Sequence, residues 1–241
     1  MDIARWMAEY LDKLRETFGA ERLVCVGLQG SQARGEAGPE SDIDAVLILD
    51  RAEGEDLLRY RAALEQMPQR EKICGFVSGR RELACWERGD LFSFYYDTVP
   101  FYGSLDFIGE TLTPADARRA VHNGVCALYH ACAHNLVHAH SGEVLSQLQK
   151  SLFFTLRALH FCRTGTFLRR RGELLPALPE EERALLRGAG TLEGASAALL
   201  DWCARTMATC TGEDGALFWE KAWKSAPECG MIDKTLDPSV S

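Results

Sequence analysis

Two apolar segments on either side of a glycine-serine pair constrain the fold of this chain more than any other feature. Leu23–Leu28 and Ile43–Leu49 are short and almost entirely apolar, which predicts two buried strands. The pair Gly30–Ser31 follows the first strand and predicts a tight turn into a short helix. Asp42 and Asp44 stand at the head of the second strand. Residues two apart in a strand point to the same side, so we expect the two carboxylates to project together.

The predicted carboxylate pair is suited to holding divalent cations. At a rise of roughly 3.3 Å per residue, the two α-carbons would lie about 6.6 Å apart. Like charges this close repel and raise one carboxyl pKa unless cations lie between them, and two Mg²⁺ ions about 3.5–4 Å apart meet that need. The N–H groups of a helix capped by Ser31 would attract phosphate oxygens, and Gly30 would let a ligand approach the backbone. The alternative is that the aspartates form only a polar beginning to the strand.

Helices and strands alternate in the first half of the chain, and helices alone follow. Residues 1–19 carry apolar side chains at three- and four-residue spacing, which predicts an amphipathic helix. This pattern favours a sheet layer with helices over residues 1–110 and an all-helical domain over residues 111–241. Further predicted elements are helices at Glu55–Gln66, Arg81–Arg88, Pro179–Arg187, Leu192–Thr211 and Glu213–Lys224, and strands at Lys72–Ser78 and Leu91–Asp97.

The segment GSQARGEAGPESDIDAVLILD, which begins at Gly30, resembles the signature of the DNA polymerase beta superfamily of nucleotidyltransferases. That signature is a Gly-Ser pair followed, after several residues, by Asp-x-Asp. The Ala-Arg-Gly after the Gly-Ser pair and the serine before the first aspartate resemble the superfamily's minimal and antibiotic nucleotidyltransferases. The resemblance implies an α+β fold, in which an α/β nucleotidyltransferase domain with a small mixed sheet precedes an all-helical domain. It also implies transfer of a nucleoside monophosphate from a nucleoside triphosphate, with pyrophosphate leaving.

Site residues follow from the resemblance by position. Asp42 and Asp44 match the metal pair, and Asp97 is the best match to a third carboxylate on a neighbouring strand; all three are expected to be catalytic and to hold the metals. Asp90, Asp106 and Glu110 are rivals for the third place, and Asp97 could instead only begin a turn. The residues implied to bind the nucleotide are Gly30, Ser31, Arg34 and Ser41.

The helical half offers weaker candidates. Lys150 lies among leucines and phenylalanines, and it resembles the helical-domain lysine with which antibiotic nucleotidyltransferases bind the triphosphate; the alternative is a lysine at the edge of an apolar stripe. Glu143 is either a base that deprotonates an acceptor hydroxyl or an acid that stabilises a helix start. Four residues recur at a spacing of four and would form one stripe of a helix: Cys126, His130, His134 and His138. This stripe has three interpretations, which are a zinc site, the polar lining of a cleft and ordinary helix packing.

Composition narrows the class of partner. The net charge of −8 argues against a protein that coats nucleic acid, and no apolar run is long enough to cross a bilayer. Nine cysteines without a CxxC pair, several of them inside apolar segments, predict buried free thiols in a reducing cytoplasm. Trp202, Trp219 and Trp223 are expected in the core or at the surface of a homodimer.

The leading hypothesis is an enzyme that transfers a nucleoside monophosphate to a hydroxyl of a small molecule, and the resemblance to antibiotic nucleotidyltransferases implies an aminoglycoside-like acceptor. AMP from ATP is the expected group, although another nucleoside triphosphate would serve, and two Mg²⁺ ions are the expected cofactors, with Mn²⁺ as a substitute. Two alternatives stay open: transfer to a protein, as in minimal nucleotidyltransferases, and a nucleotide-binding module without catalysis. The second alternative predicts ATP binding without turnover.

Overall fold

Strands β1 (Leu23–Leu28) and β2 (Ile43–Leu49) form the centre of a sheet, as their apolar patterns predict. β1 pairs antiparallel with β2 on one side and with β4 (Val99–Gly103) on the other. β3 (Ile73–Gly79) pairs parallel with β2, so that the strand order is β3-β2-β1-β4. The sheet is therefore small and mixed, and the predicted α+β fold class is confirmed.

The computed structural model describes residues 2–188 and 190–211, which divide into two units. In these ranges the first unit contains residues 2–87 and 94–111, and the second contains residues 88–93 and 112–211. The domain limits predicted from the sequence, 1–110 and 111–241, reach beyond the described residues and stay a prediction. The predicted helix at Glu213–Lys224, Trp219 and Trp223 also lie outside the described residues.

The two faces of β2 have different surroundings. Its odd-numbered residues, Ile43 to Leu49, pack in one core with helices α1 (Ile3–Phe18) and α3 (Gly54–Leu64). In that core the hydroxyl groups of Tyr10 and Tyr60 lie 2.6 Å apart and share a hydrogen bond. Side chains alternate along a strand, so the even-numbered residues of β2, of which Asp44 is the first, project from the opposite face. We call this the site face.

Helix α5 (Arg88–Asp97) occupies the segment for which the aromatic residues predicted a strand at Leu91–Asp97, and that prediction is wrong. Leu91 and Phe92 are both buried, whereas Ser93 is exposed. A half-buried strand would place the first and third of these on the same face, so the observed burial fits a helix better. Aromatic residues favour strands mainly because they pack well on a pleated surface, and here their packing on a helical stripe prevails.

The strand that sequence reasoning missed is β4. It contains Pro100, which has no N–H to donate and is therefore tolerated only where a ladder bond is not required. Within the described part of the chain, β4 is an edge strand of the sheet, and one side of its backbone has no neighbouring strand there. Because of Pro100 the segment was not recognised as a strand from the sequence, and the missing N–H of Pro100 is compatible with the edge position of β4 in the structure.

The second unit is helical. Helices α7 (Pro114–His134), α8 (Gly142–Thr164) and α11 (Leu192–Thr211) pack against one another. Arg163 of α8 donates two hydrogen bonds, of 2.9 and 2.8 Å, to the carboxylate of Glu182. These helices confirm the helical pattern predicted for the second half of the chain. The remaining helices of the described chain are α2 (Gly30–Arg34), α4 (Arg80–Ala84), α6 (Asp106–Gly109), α9 (Arg171–Ala177) and α10 (Glu180–Arg187), with short 3₁₀ turns at Ala20–Arg22 and Arg70–Lys72 and a π-helical segment at Asn135–Ala139.

The cysteines of the described residues are free thiols, as predicted, but they are not uniformly buried. Cys74 and Cys85 are exposed. Cys74 lies on β3, an edge strand, where the apolar segment around it does not pack on both faces. None of the helices in the described ranges combines the length and the hydropathy that a membrane crossing requires.

Candidate active site

The turn between β1 and α2 brings Gly30 against the side chain of Asp44. The N–H of Gln29 donates a 2.9 Å hydrogen bond to the carbonyl oxygen of Asp44, which extends the pairing of the two strands into the turn. Gly30 has φ +68°, in the left-handed region, and a Cβ atom there would overlap Oδ2 of Asp44. Glycine is therefore required at this position both by the backbone conformation and by the carboxylate beside it.

Ser31 does not cap α2 as the sequence predicted. The helix begins one residue earlier, at Gly30, and its N-cap is Gln29, whose side chain makes no capping hydrogen bond. Instead, Nε2 of Gln29 donates a 2.8 Å hydrogen bond to Oγ1 of Thr98. The cap residue thus ties the turn to the segment that connects α5 and β4, because Thr98 lies between those two elements.

Three carboxylates interact on the site face. The pKa of Asp44 is raised above its usual value, first because the side chain is partly buried and then because Asp42 and Asp97 repel its negative charge. The guanidinium of Arg34 acts in the opposite direction and lowers this pKa. The charges of Asp42 and Asp97 thus both act on Asp44. Asp97 is the last residue of helix α5, although the sequence predicted that a strand would carry it.

Arg34 lies among these acids. Its side chain is buried, its Nε donates a 3.0 Å hydrogen bond to Glu36, and its Nη1 lies 3.5 Å from Oδ1 of Asp97. Sequence reasoning assigned Arg34 to the nucleotide and did not identify Glu36. In the structure the guanidinium partly neutralises the acidic cluster and forms an ion pair with Asp97.

Ser41 organises the loop that leads into β2. Its Oγ accepts a 2.9 Å hydrogen bond from the N–H of Gly38, and its own N–H donates to the carbonyl of Gly38. Lys72 donates a 2.5 Å hydrogen bond to the carbonyl of Pro39 in the same loop. Ser41 therefore shapes the turn that delivers the exposed Asp42, and its assignment to the nucleotide stays a prediction.

The acidic cluster is chemically suited to divalent cations. Within the described residues, no group of three or more His, Cys, Asp and Glu side chains is arranged so that it could hold a metal ion by itself. Mg²⁺ usually keeps several waters and is bound through one or two carboxylates together with substrate phosphates. Neighbouring carboxylates that repel each other, as these do at Asp44, provide such a partial set, and the positive charge would relieve their repulsion.

The rival candidates for the third carboxylate are less well placed. Asp106 lies in the first turn of α6 and Glu110 is the C-cap of that helix, and neither contributes to the raised pKa of Asp44. Asp90 belongs to the second unit. Of these four acids, Asp97 is the one whose charge raises the pKa of Asp44.

The candidates of the helical unit lie on exposed helix surface. Lys150 is exposed on α8, and Glu143 is exposed in the first turn of the same helix. Their assignments to the triphosphate and to proton abstraction stay predictions.

The Cys/His stripe of α7 does not form a closed ligand set in the described part of the chain. Cys126 lies 3.7 Å from Nε2 of His122 and 3.6 Å from the sulfur of Met207. His130, His134 and His138 are exposed, and the rings of the last two are 4.9 Å apart. The zinc interpretation therefore gains no support from the described residues.

Comparison with known proteins places this geometry in a family. The model of the nucleotidyltransferase domain family matches residues 7–101, which include the Gly-Ser turn and all three aspartates. No curated protein sequence matches the chain. The structure of spectinomycin adenyltransferase from Enterococcus faecialis, with ATP and spectinomycin, is similar to it with a TM-score of 0.51 and 14% identity, over 83% of this chain and 99% of that chain. At this identity the likeness concerns the fold alone. Residues 7–101 therefore form a nucleotidyltransferase domain, which agrees with the resemblance of the Gly-Ser and Asp-x-Asp signature to the DNA polymerase beta superfamily.

Proposed function

We propose that this enzyme transfers AMP from ATP to a hydroxyl group of a small-molecule acceptor. The observation that carries the proposal is the position of Asp44 against the turn at Gly30, with the negative charges of Asp42 and Asp97 near enough to raise its pKa. Such a partial set of carboxylates suits Mg²⁺ that arrives with a triphosphate. Other nucleoside triphosphates share the triphosphate and are tested as competitors.

In the proposed reaction, the acceptor hydroxyl oxygen forms a bond to the α-phosphorus of ATP. The bond between that phosphorus and the oxygen bridging to the β-phosphate breaks, and pyrophosphate leaves with the electron pair. The hydroxyl proton passes to water. Transfer of this kind depends mainly on positioning and on stabilisation of charge, so that the protein needs to supply little covalent chemistry.

We assign a different role to each residue of this site. The three aspartates would hold Mg²⁺, which when bound neutralises charge on the phosphate oxygens. Arg34 holds Asp97 in position and limits the repulsion in the cluster. Gly30 leaves the space that the Asp44 side chain occupies.

A small acceptor with hydroxyl groups is the class that we favour. The structure similar over 83% of this chain is that of a protein solved with ATP and spectinomycin, a small molecule. The net charge of −8 is compatible with an acceptor that carries amino groups. Lys150 and Glu143 of the helical unit are the residues whose substitution tests whether that unit contributes to the reaction.

The test is an acceptor panel with ATP labelled at the α-phosphate and Mg²⁺. We expect release of pyrophosphate and a product whose mass exceeds that of one acceptor, spectinomycin and aminoglycosides included, by one AMP. Asp44→Asn should abolish both signals, whereas Asp201→Asn, which changes an exposed aspartate of α11, should not. ATP binding without pyrophosphate release for any small acceptor would overturn the proposal, and label found instead on a protein from a lysate would assign the acceptor to that class.

A further inference from the structure

Three aromatic side chains of the first unit form a row that the proposed reaction does not yet use. The rings of Phe76 and Phe94 have centroids 4.8 Å apart. The ring of Trp86 meets Phe76 in an edge-to-face arrangement with centroids 5.3 Å apart. Phe76 is half-buried, and Trp86 is 44% exposed. The row therefore begins inside the fold and ends with an indole in solvent.

Strand register places this row on the site face. In the parallel pair of β2 and β3, Asp44 is opposite Cys74 and Val46 is opposite Phe76. Residues opposite each other in register project from the same face, so Phe76 projects from the face that carries Asp44. Along the strand direction the two are two residues apart, or about 6.6 Å.

Helix α5 connects the other end of the row to the same site. Phe94 lies three residues before Asp97, which is one turn of the helix. The carbonyl oxygen of Phe94 accepts a 2.7 Å hydrogen bond from Oγ1 of Thr98, which in turn accepts one from Gln29 beside the glycine turn. The aromatic row and the acidic cluster are thus held by one set of bonds within the first unit.

The chemistry of the row suits a flat heterocycle. Aromatic side chains bind nucleobases by stacking, and every base has a π-face that can take part. A phosphate would gain nothing from these apolar rings, because they offer no charge and only one N–H donor, that of the indole. In a nucleotide the base is separated from the α-phosphate by a single ribose, which matches the short step from the acidic cluster to the row.

We propose that Trp86, supported by Phe76, is the stacking surface for the base of the nucleotide. The inference rests on the proposed function, because it assumes that the acidic cluster holds the triphosphate. It adds a subsite for the base of the nucleotide and predicts how strongly that subsite selects between bases. Since stacking tolerates any base, Trp86 contributes affinity for purine nucleotides in general and does not choose ATP over GTP.

The test compares a ligand that has a base with one that has none. Dissociation constants of Mg²⁺–ATP, Mg²⁺–GTP and Mg²⁺–tripolyphosphate are measured by calorimetry for the wild-type protein, Trp86→Ala and Trp86→Phe. Leu58→Ala is the matched control, because Leu58 is an apolar residue, 64% exposed, on α3, which packs against the opposite face of the sheet. Thermal unfolding of each variant shows whether the fold is kept.

We expect Trp86→Ala to weaken both nucleotides about tenfold, which corresponds to about 1.4 kcal/mol, and to leave tripolyphosphate unchanged. Trp86→Phe should restore most of the loss, and Leu58→Ala should bind all three ligands as the wild type does. Equal weakening of tripolyphosphate, unchanged nucleotide affinity, or a raised KM for the acceptor alone would overturn the subsite while leaving the proposed function intact. A wild-type protein that binds neither ATP nor tripolyphosphate would overturn both.

Discussion

The contact between Gly30 and Asp44 leads to the sharpest prediction, because the chain contains a matched control. Gly30 and Gly35 both have φ +68°, at the two ends of α2. A Cβ atom on Gly30 would overlap the carboxylate of Asp44, whereas a Cβ atom on Gly35 would have no heavy atom within 4 Å. Alanine at either position has to adopt the left-handed conformation, and only alanine at position 30 would also displace the carboxylate of Asp44.

The expected magnitudes separate the two effects. Placing alanine in the left-handed region costs about 1–2 kcal/mol, so both Gly30→Ala and Gly35→Ala should lower the free energy of unfolding by about that amount. The side chain at position 30 forces the Asp44 carboxylate to move by an amount comparable to an atomic radius. Misplacement of a reacting group by 1 Å can cost about 10²-fold in rate, so we expect Gly30→Ala to lose about that much activity and Gly35→Ala to lose little.

Two measurements on the same preparations check this. Urea unfolding gives the free energy of unfolding of each variant, and pyrophosphate release at saturating Mg²⁺–ATP gives its rate. If the two variants lose activity to the same extent, or if Gly30→Ala is fully active, then the proximity of Gly30 to Asp44 is not what catalysis depends on, and the reasoning from this geometry fails.

Three further predictions concern charged groups. Asp44→Asn should abolish activity and, at neutral pH without metal, raise the free energy of unfolding. A pKa raised in the folded state means that the ionised carboxylate opposes folding above that pKa. The gain in stability should therefore shrink as the pH falls towards 3.8, the usual pKa of the group, which urea titrations at several pH values would show. Arg34→Gln should lower the concentration of Mg²⁺ needed for half-maximal rate, since it removes the positive charge that partly neutralises the acidic cluster, and an unchanged metal requirement would refute this. Arg163→Met should lower the free energy of unfolding by about 3 kcal/mol, because it leaves the buried Glu182 without its bidentate partner, and a change below about 1 kcal/mol in urea unfolding would show that the pair contributes little.

The sequence predicted those parts of the site that depend on local pattern. β1 and β2 were recognisable because a buried strand requires an uninterrupted apolar run, and the Asp-x-Asp pair was recognisable because strand geometry places its members together. The convergence of Asp97 on this pair was expected from family resemblance, while the helix that carries it was not.

What the sequence could not show depends on contacts between distant segments. Whether Leu91–Asp97 is a helix or a strand is decided by what its aromatic residues pack against, and that information is not local. Arg34 was assigned to the nucleotide because of its position in the motif, yet its burial beside Glu36 and Asp97 follows from how α2 and α5 approach each other. No spacing rule links residues 34 and 97.

The alternation of β2 separates the residues that pack with α1 and α3 from the residues of the site face. Odd positions such as Leu47 belong to the core shared with α1 and α3, and even positions begin with Asp44 on the opposite side. A shift of one residue in strand pairing would therefore turn the carboxylate of Asp44 into the apolar core and bring Ile43 or Ala45 to the position that Asp44 now occupies.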